Sequence, residues 1–137
     1  MKPTKQVLIT FDYELFLGNR SGSVADCLIN PTNQVLDVIE QHGCRAIFFV
    51  DTTYLLTLKK NFKIAACKQD FETVMDHITE IASRGHEIFP HLHPHWLDAN
   101  YLSDTNEWQL INTDKYRFYH ISEAERSEIF DQSIELV

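Results

Sequence analysis

Four of the chain's seven histidines, His86, His91, His93 and His95, fall within ten residues of one another, in Gly85-His86-Glu87-Ile88-Phe89-Pro90-His91-Leu92-His93-Pro94-His95-Trp96. Histidine is the commonest metal ligand and the side chain that titrates near neutral pH. Such a density therefore points to metal or acid–base chemistry. A second cluster, Asp12-Tyr13-Glu14, lies far upstream. On a strand, Asp12 and Glu14 point to one face. Carboxylates that close together favour a cation beside them, so one could hold a metal while the other acts as a base. The two clusters read as halves of one metal site.

The spacing of the histidines leaves several pairings open. On an extended strand His91 and His95 would lie about 13 Å apart, at roughly 3.3 Å per residue. That is too far to share one ion with ligand bonds of about 2 Å. His91 and His93 could chelate on a strand. His91 and His95 could do so only if the chain turns after residue 91. Pro94 permits that turn, because Pro is well placed as the first residue of a helical turn capped by His93. His86 reads equally as a surface or a packing residue, and His42, His77 and His120 as solvated. Trp96 and Trp108 could be sugar-stacking platforms or packing residues. Asp51 could line the pocket or cap a helix.

Elements that would carry these residues alternate along the chain. Apolar, β-branched or aromatic runs predict strands near residues 7–11, 46–50 and 87–90, buried on both faces. Helices are predicted near 31–42, 71–84 and 123–136. Asn30 and Asp70 are the candidate N-caps of the first two, Gly43 and Gly85 their stops, and Ser122 with Glu125 a capping box for the third. In that third helix Ile129, Phe130, Ile134 and Val137 form the apolar face, and the helix is predicted to run to the last residue. Residues 54–69 are ambiguous, and residues 97–121 read as a long, lid-like loop. The order β-α-β-α-β-loop-α predicts an α/β fold with a parallel sheet. Both chemical clusters then fall at strand C-termini, where such folds place their ligands.

Bulk composition narrows the partners. The 137 residues suffice for one modest core, and 44% are hydrophobic. A formal net charge of −8 argues against nucleic acid or an anionic membrane surface. No apolar run reaches the roughly 18 residues of a membrane span, and none matches a signal-peptide core of about 7–15 residues. Cys27, Cys44 and Cys67 form no C-x-x-C pair and read as three reduced thiols, which predicts a cytoplasmic protein.

Three segments together resemble the polysaccharide deacetylases of the NodB-homology, carbohydrate esterase type. Thr10-Phe11-Asp12 is similar to the start of that family's T-F-D-D motif. Ala46-Ile47-Phe48-Phe49-Val50 is similar to its A-T-F-F-V strand. Gly85-His86-Glu87-Ile88 with His91-Leu92-His93-Pro94-His95 resembles its G-H-E-I-G-N-H-[ST]-x-x-H motif. The resemblance covers residues 7–96.

It implies a partial, distorted (β/α) barrel, a single incomplete domain truncated before the family's later strands. The family's Arg-containing motif, its apolar pocket motif and its late histidine general acid have no counterpart after residue 96. The implied roles are Asp12 as general base and Glu14, His91 and His95 as ligands of one divalent ion, zinc or another transition metal. Tyr13 stands where the family's second Asp would be, and some members with D-x-D or D-x-E instead give the ligand role to a residue like Glu14. His93, Asp51 and Trp96 become pocket or supporting residues. The implied reaction is removal of acetyl from an N-acetylated sugar or polysaccharide, weak or absent in this fragment alone. Alternatives are an amidohydrolase acting on a small ureide or amide, and a non-catalytic domain that binds metal or sugar. An open sheet edge would also allow self-association.

Overall fold

The computed structural model describes residues 6–17, 20–110 and 114–137. Strands β1 (Thr10–Tyr13), β2 (Ile47–Asp51) and β3 (Glu87–His91) form a parallel sheet in the order β1-β2-β3. Helix α1 (Asn30–Gln41) connects β1 to β2, while α2 (Thr52–Lys60) and α3 (Ala65–Ser83) connect β2 to β3. An antiparallel hairpin, β4 (Ala99–Leu102) and β5 (Glu107–Leu110), follows, and α4 (Glu123–Ile134) comes last. The mixed α/β arrangement with parallel strands is the predicted class. Among the described residues the three strands make an open sheet, with no closed barrel.

The pleat divides the sheet into two unlike faces. Tyr13, Phe48 and Val50 point into a core they share with Leu36 of α1 and with Val74, Ile78 and Ile81 of α3. Asp12, Glu87 and Phe89 are exposed on the opposite face, where Ile47 and Phe49 are half-buried. Burial on both faces is thus not found. Val7 and Leu8, predicted as the buried start of the first strand, are 87% and 73% exposed, and β1 begins only at Thr10.

The helix boundaries show which local signals act. Asn30 is not the first cap. A π-helical turn, Ala25–Ile29, runs directly into α1. The turn is capped from Ser23, whose Oγ accepts the Asp26 N–H at 3.1 Å and donates to the Asp26 carboxylate at 2.8 Å. Gly43 and Gly85 stop α1 and α3 as predicted, at φ of +65° and +88°, a conformation in which a Cβ is strained. Asp70 is no cap either. It sits inside α3, which starts five residues earlier, after a tight turn in which the Ile64 N–H bonds the Asn61 carbonyl. The ambiguous stretch resolves into α2 and the first turn of α3. Helix α2 is buried nearly all round, through Thr52, Thr53, Tyr54, Leu55, Thr57 and Leu58. Such a helix shows no apolar stripe.

The segment predicted as a lid-like loop contains the β4–β5 hairpin, and residues 111–113 of it lie outside the described residues. Trp108 of β5 packs edge-on against Trp96 and Tyr54 at 6.2 and 6.3 Å. Both tryptophans are buried, so neither presents a ring face for stacking a sugar. Ser122 and Glu125 form the predicted capping box of α4. The buried face of that helix is Ile129 and Ser133, whereas Phe130, Ile134 and Val137 are exposed, and the helix ends at Ile134. No helix among the described residues is long and apolar enough to cross a membrane.

Candidate metal centre

The register of the sheet builds the site. Tyr13 pairs with Val50 and Val50 with Pro90; Asp51 pairs with His91. Glu14 follows Tyr13 directly, so Glu14, Asp51 and His91 occupy one row at the strand C-termini. Side chains along a strand alternate, and this row faces away from the Tyr13–Val50 row that enters the core. Tyr13 accordingly turns inward. Its hydroxyl lies 2.9 Å from Nδ1 of His77, whose Nε2 lies 3.2 Å from Oδ1 of Asn33. His77, predicted to be solvated, is a buried packing residue, and burial lowers its pKa. His86 is also buried: its Nδ1 accepts the Ala46 N–H and its Nε2 lies 2.9 Å from Glu40. His42 and His120 are exposed as predicted.

After β3 the chain makes the turn that Pro94 permits. Residues Pro94–Asp98 form a 3-10 helix with His93 at its N-cap. The turn brings His93 to Glu14. Ligand atoms of Glu14, His91 and His93 all lie within 4.8 Å of one another. Glu14 Oε2 is 3.1 Å from His93 Nδ1 and 3.5 Å from His91 Nε2. That buried oxygen makes no hydrogen bond among the described residues. A buried, unbonded carboxylate oxygen is costly, and a bound cation would satisfy it. One carboxylate and two imidazoles form the mixed oxygen and nitrogen set that suits zinc and other transition ions.

His95 lies beneath His93, its ring 5.1 Å from that of His93 and 6.1 Å from that of Tyr116. It is 2% exposed, and neither ring nitrogen has a hydrogen-bond partner among the described residues. Burial, helped by the neighbouring His93 charge, lowers its pKa to about 4. Of the residues singled out in the sequence, Glu14, His91 and His93 converge in space, with His95 packed against His93.

The electrostatics of the cluster are mutual. Burial raises the Glu14 pKa; the charges of His93 and His91 pull it down and those of Asp51 and Asp12 push it up, for a net rise. Burial pushes His93 down, but its hydrogen bond to Asp51 and the charges of Asp51, Glu14 and Asp12 outweigh it, so its pKa is raised. Asp12 thus acts on both Glu14 and His93 from its exposed position on the open face.

Asp51 both caps α2 and lines the site: its carboxylate accepts the Tyr54 N–H at 3.2 Å and the Trp96 indole N–H at 2.6 Å. Thr52 and Thr53, which sequence reading passed over, hold the histidine segment. Thr52 Oγ1 donates to the His91 carbonyl at 3.1 Å, and Thr53 Oγ1 accepts the His93 N–H at 2.6 Å. The available signal was Asp-Thr-Thr directly after a buried strand. A cavity of about 680 Å³ lies elsewhere, between α2 and α4, and none of the candidate ligands lines it.

The fold and site together define an α/β protein with a carboxylate–imidazole cluster at the C-terminal ends of parallel strands. This chain belongs to the polysaccharide deacetylase family, whose model matches residues 1–130. No curated protein and no solved structure matches it.

Proposed function

We propose that this domain is a metal-dependent hydrolase that removes acetyl groups from an N-acetylated sugar or polysaccharide. The observation that carries the reading is the convergence of Glu14, His91 and His93 within 4.8 Å, around a buried carboxylate oxygen that lacks a hydrogen bond among the described residues. Family membership supports the reaction class. Glu14, His91 and His93 would hold one divalent ion, zinc or another transition metal. When bound, the ion would lower the pKa of a water and polarise the acetamide carbonyl. Asp12, exposed two residues before Glu14 on the same face, would take the proton from the attacking water. Asp51, Thr52 and Thr53 would keep the imidazoles in place from beneath. The ligand set with His93 is preferred to the one with His95, because His95 packs behind His93 and outside the converging atoms.

Acetate release from N-acetylglucosamine oligomers tests the reaction. Activity should disappear on chelation, return with zinc, and fall by about 10²–10⁴ in Asp12→Asn. Release that is indifferent to chelator, or unchanged in Asp12→Asn, would contradict the mechanism.

A further inference from the structure

Two aromatic side chains lie beside the metal cluster and hold no ligand position. Asp12 pairs with Phe49 and Phe49 with Phe89, so these three share the open face of the sheet. They stand two residues before Glu14, Asp51 and His91 on their strands, about 7 Å away at roughly 3.3 Å per residue. Phe89 is 47% exposed, and Phe49 is half-buried. The Phe49 ring lies 6.4 Å from that of Phe89 and 6.5 Å from that of His91, so the apolar surface runs up to the metal row. The core does not use Phe89, because its neighbour Ile88 packs there instead. Phe89 also stands where the G-H-E-I-G-N-H motif has its second glycine, so this surface is a feature of this chain.

Polar groups rim the aromatic pair. Asp12 lies beside Phe49, and Thr10 and Glu87 lie one row further from the cluster, all exposed on the same face. An apolar surface with a polar rim marks a ligand site. A sugar ring has the matching chemistry, with apolar C–H faces inside a rim of hydroxyls. A wholly apolar partner would leave Asp12, Thr10 and Glu87 desolvated without partners. Position selects the same occupant. A substrate whose acetamide meets an ion held by Glu14, His91 and His93, with its attacking water on Asp12, has the Asp12 row beneath it. That row continues through Phe49 to Phe89.

We propose that Phe89, supported by Phe49, is a specificity-determining residue: the platform on which the sugar ring carrying the acetamide stacks. This rests on the deacetylase reading above.

Binding of N-acetylglucosamine oligomers with zinc present, measured by titration calorimetry, tests it. Phe89→Ala should weaken binding about tenfold, the loss expected when roughly half a phenylalanine side chain is no longer covered. Phe89→Trp, which keeps a flat ring, should bind as tightly as wild type. Phe89→Leu, apolar but not flat, should fall between Phe89→Trp and Phe89→Ala. All three should keep the wild-type zinc content, and the loss in acetate release should appear in KM rather than kcat. Equal binding by Phe89→Ala and wild type overturns the proposal, as does a wild type that binds no oligomer. A Phe89→Ala variant that binds sugar normally but loses self-association in sedimentation makes the face an interface between copies and also overturns it. Oligomer binding with the expected Phe89 dependence but no acetate release supports the platform and sinks the hydrolase reading alone.

Discussion

Tyr13 and Glu14 are neighbours in the chain and serve opposite faces of the sheet. The Tyr13 hydroxyl lies 2.9 Å from His77 Nδ1 in the core, while Glu14 Oε2 lies 3.1 Å from His93 Nδ1 at the strand C-termini. The alternation of a single strand therefore assigns one residue to packing and the next to the site. Tyr13, standing where the family has a second Asp, therefore does not face the Glu14–His91–His93 cluster.

Removing the Tyr13 hydroxyl should be felt in stability and not in metal binding. Tyr13→Phe leaves a buried His77 nitrogen unpartnered, which costs roughly 1–3 kcal/mol. Urea unfolding should show this loss, with zinc affinity within about twofold of wild type. A variant as stable as wild type would mean that the Tyr13–His77 contact contributes nothing.

Acid should destabilise the metal-free protein through its buried imidazoles. The folded-state pKa of His95 is lowered to about 4 and that of His77 is also lowered, in both cases chiefly by burial. The unfolded chain, with histidine near its usual value of about 6.5, then binds more protons than the folded one. Stability is retained above about pH 6.5 and falls as pH drops toward 4. For His95 alone the loss between pH 7 and pH 5 is about 2 kcal/mol. Chemical denaturation at the two pH values, with chelator present, should show it, and His95→Phe should remove a large part of the dependence. The raised pKa of His93 acts in the opposite sense, so the comparison is made in a His93→Ala background, where a pH-independent midpoint would mean that the His95 imidazole is hydrated in the folded state.

Helix α4 gives a local test. Ser122 Oγ accepts the Glu125 N–H at 3.3 Å, and the Glu125 carboxylate accepts the Ser122 N–H at 2.9 Å. Ser122→Ala should cost about 1 kcal/mol, read as a shift in urea midpoint. No shift would show that α4 does not unfold together with the core.

What could be read from the sequence follows the range of the forces involved. The Ser122–Glu125 box and the stops at Gly43 and Gly85 depend on neighbours a few residues away, and all three stand as predicted. Ser23 and Asp26 carry a signal of the same kind, seven residues and four residues before Asn30. Helix α2 escaped because burial on nearly every side erased its stripe. The β4–β5 hairpin escaped because strands of four residues give too short an alternation to recognise. In the site, the halves at Asp12–Glu14 and His91–His95 were visible as residue types, and the turn at Pro94 was foreseen. The close approach of His93 to Glu14 depends on the 3-10 geometry and on Thr53, forty residues away, holding the His93 N–H, which no local pattern shows. His77 was misjudged for the same reason, since its partner Tyr13 is sixty-four residues distant.

The central claim is that Glu14, His91 and His93 hold one metal ion, and metal content measures it most directly. Purified protein loaded with zinc and freed of excess ion should retain about one equivalent by elemental analysis, as a single site requires. Glu14→Ala, His91→Ala and His93→Ala should each lose it while remaining folded by circular dichroism. His95→Ala should keep more of it than His93→Ala. A folded wild type with no stoichiometric zinc, or a His93→Ala variant that retains its full equivalent while His95→Ala loses it, would contradict the account.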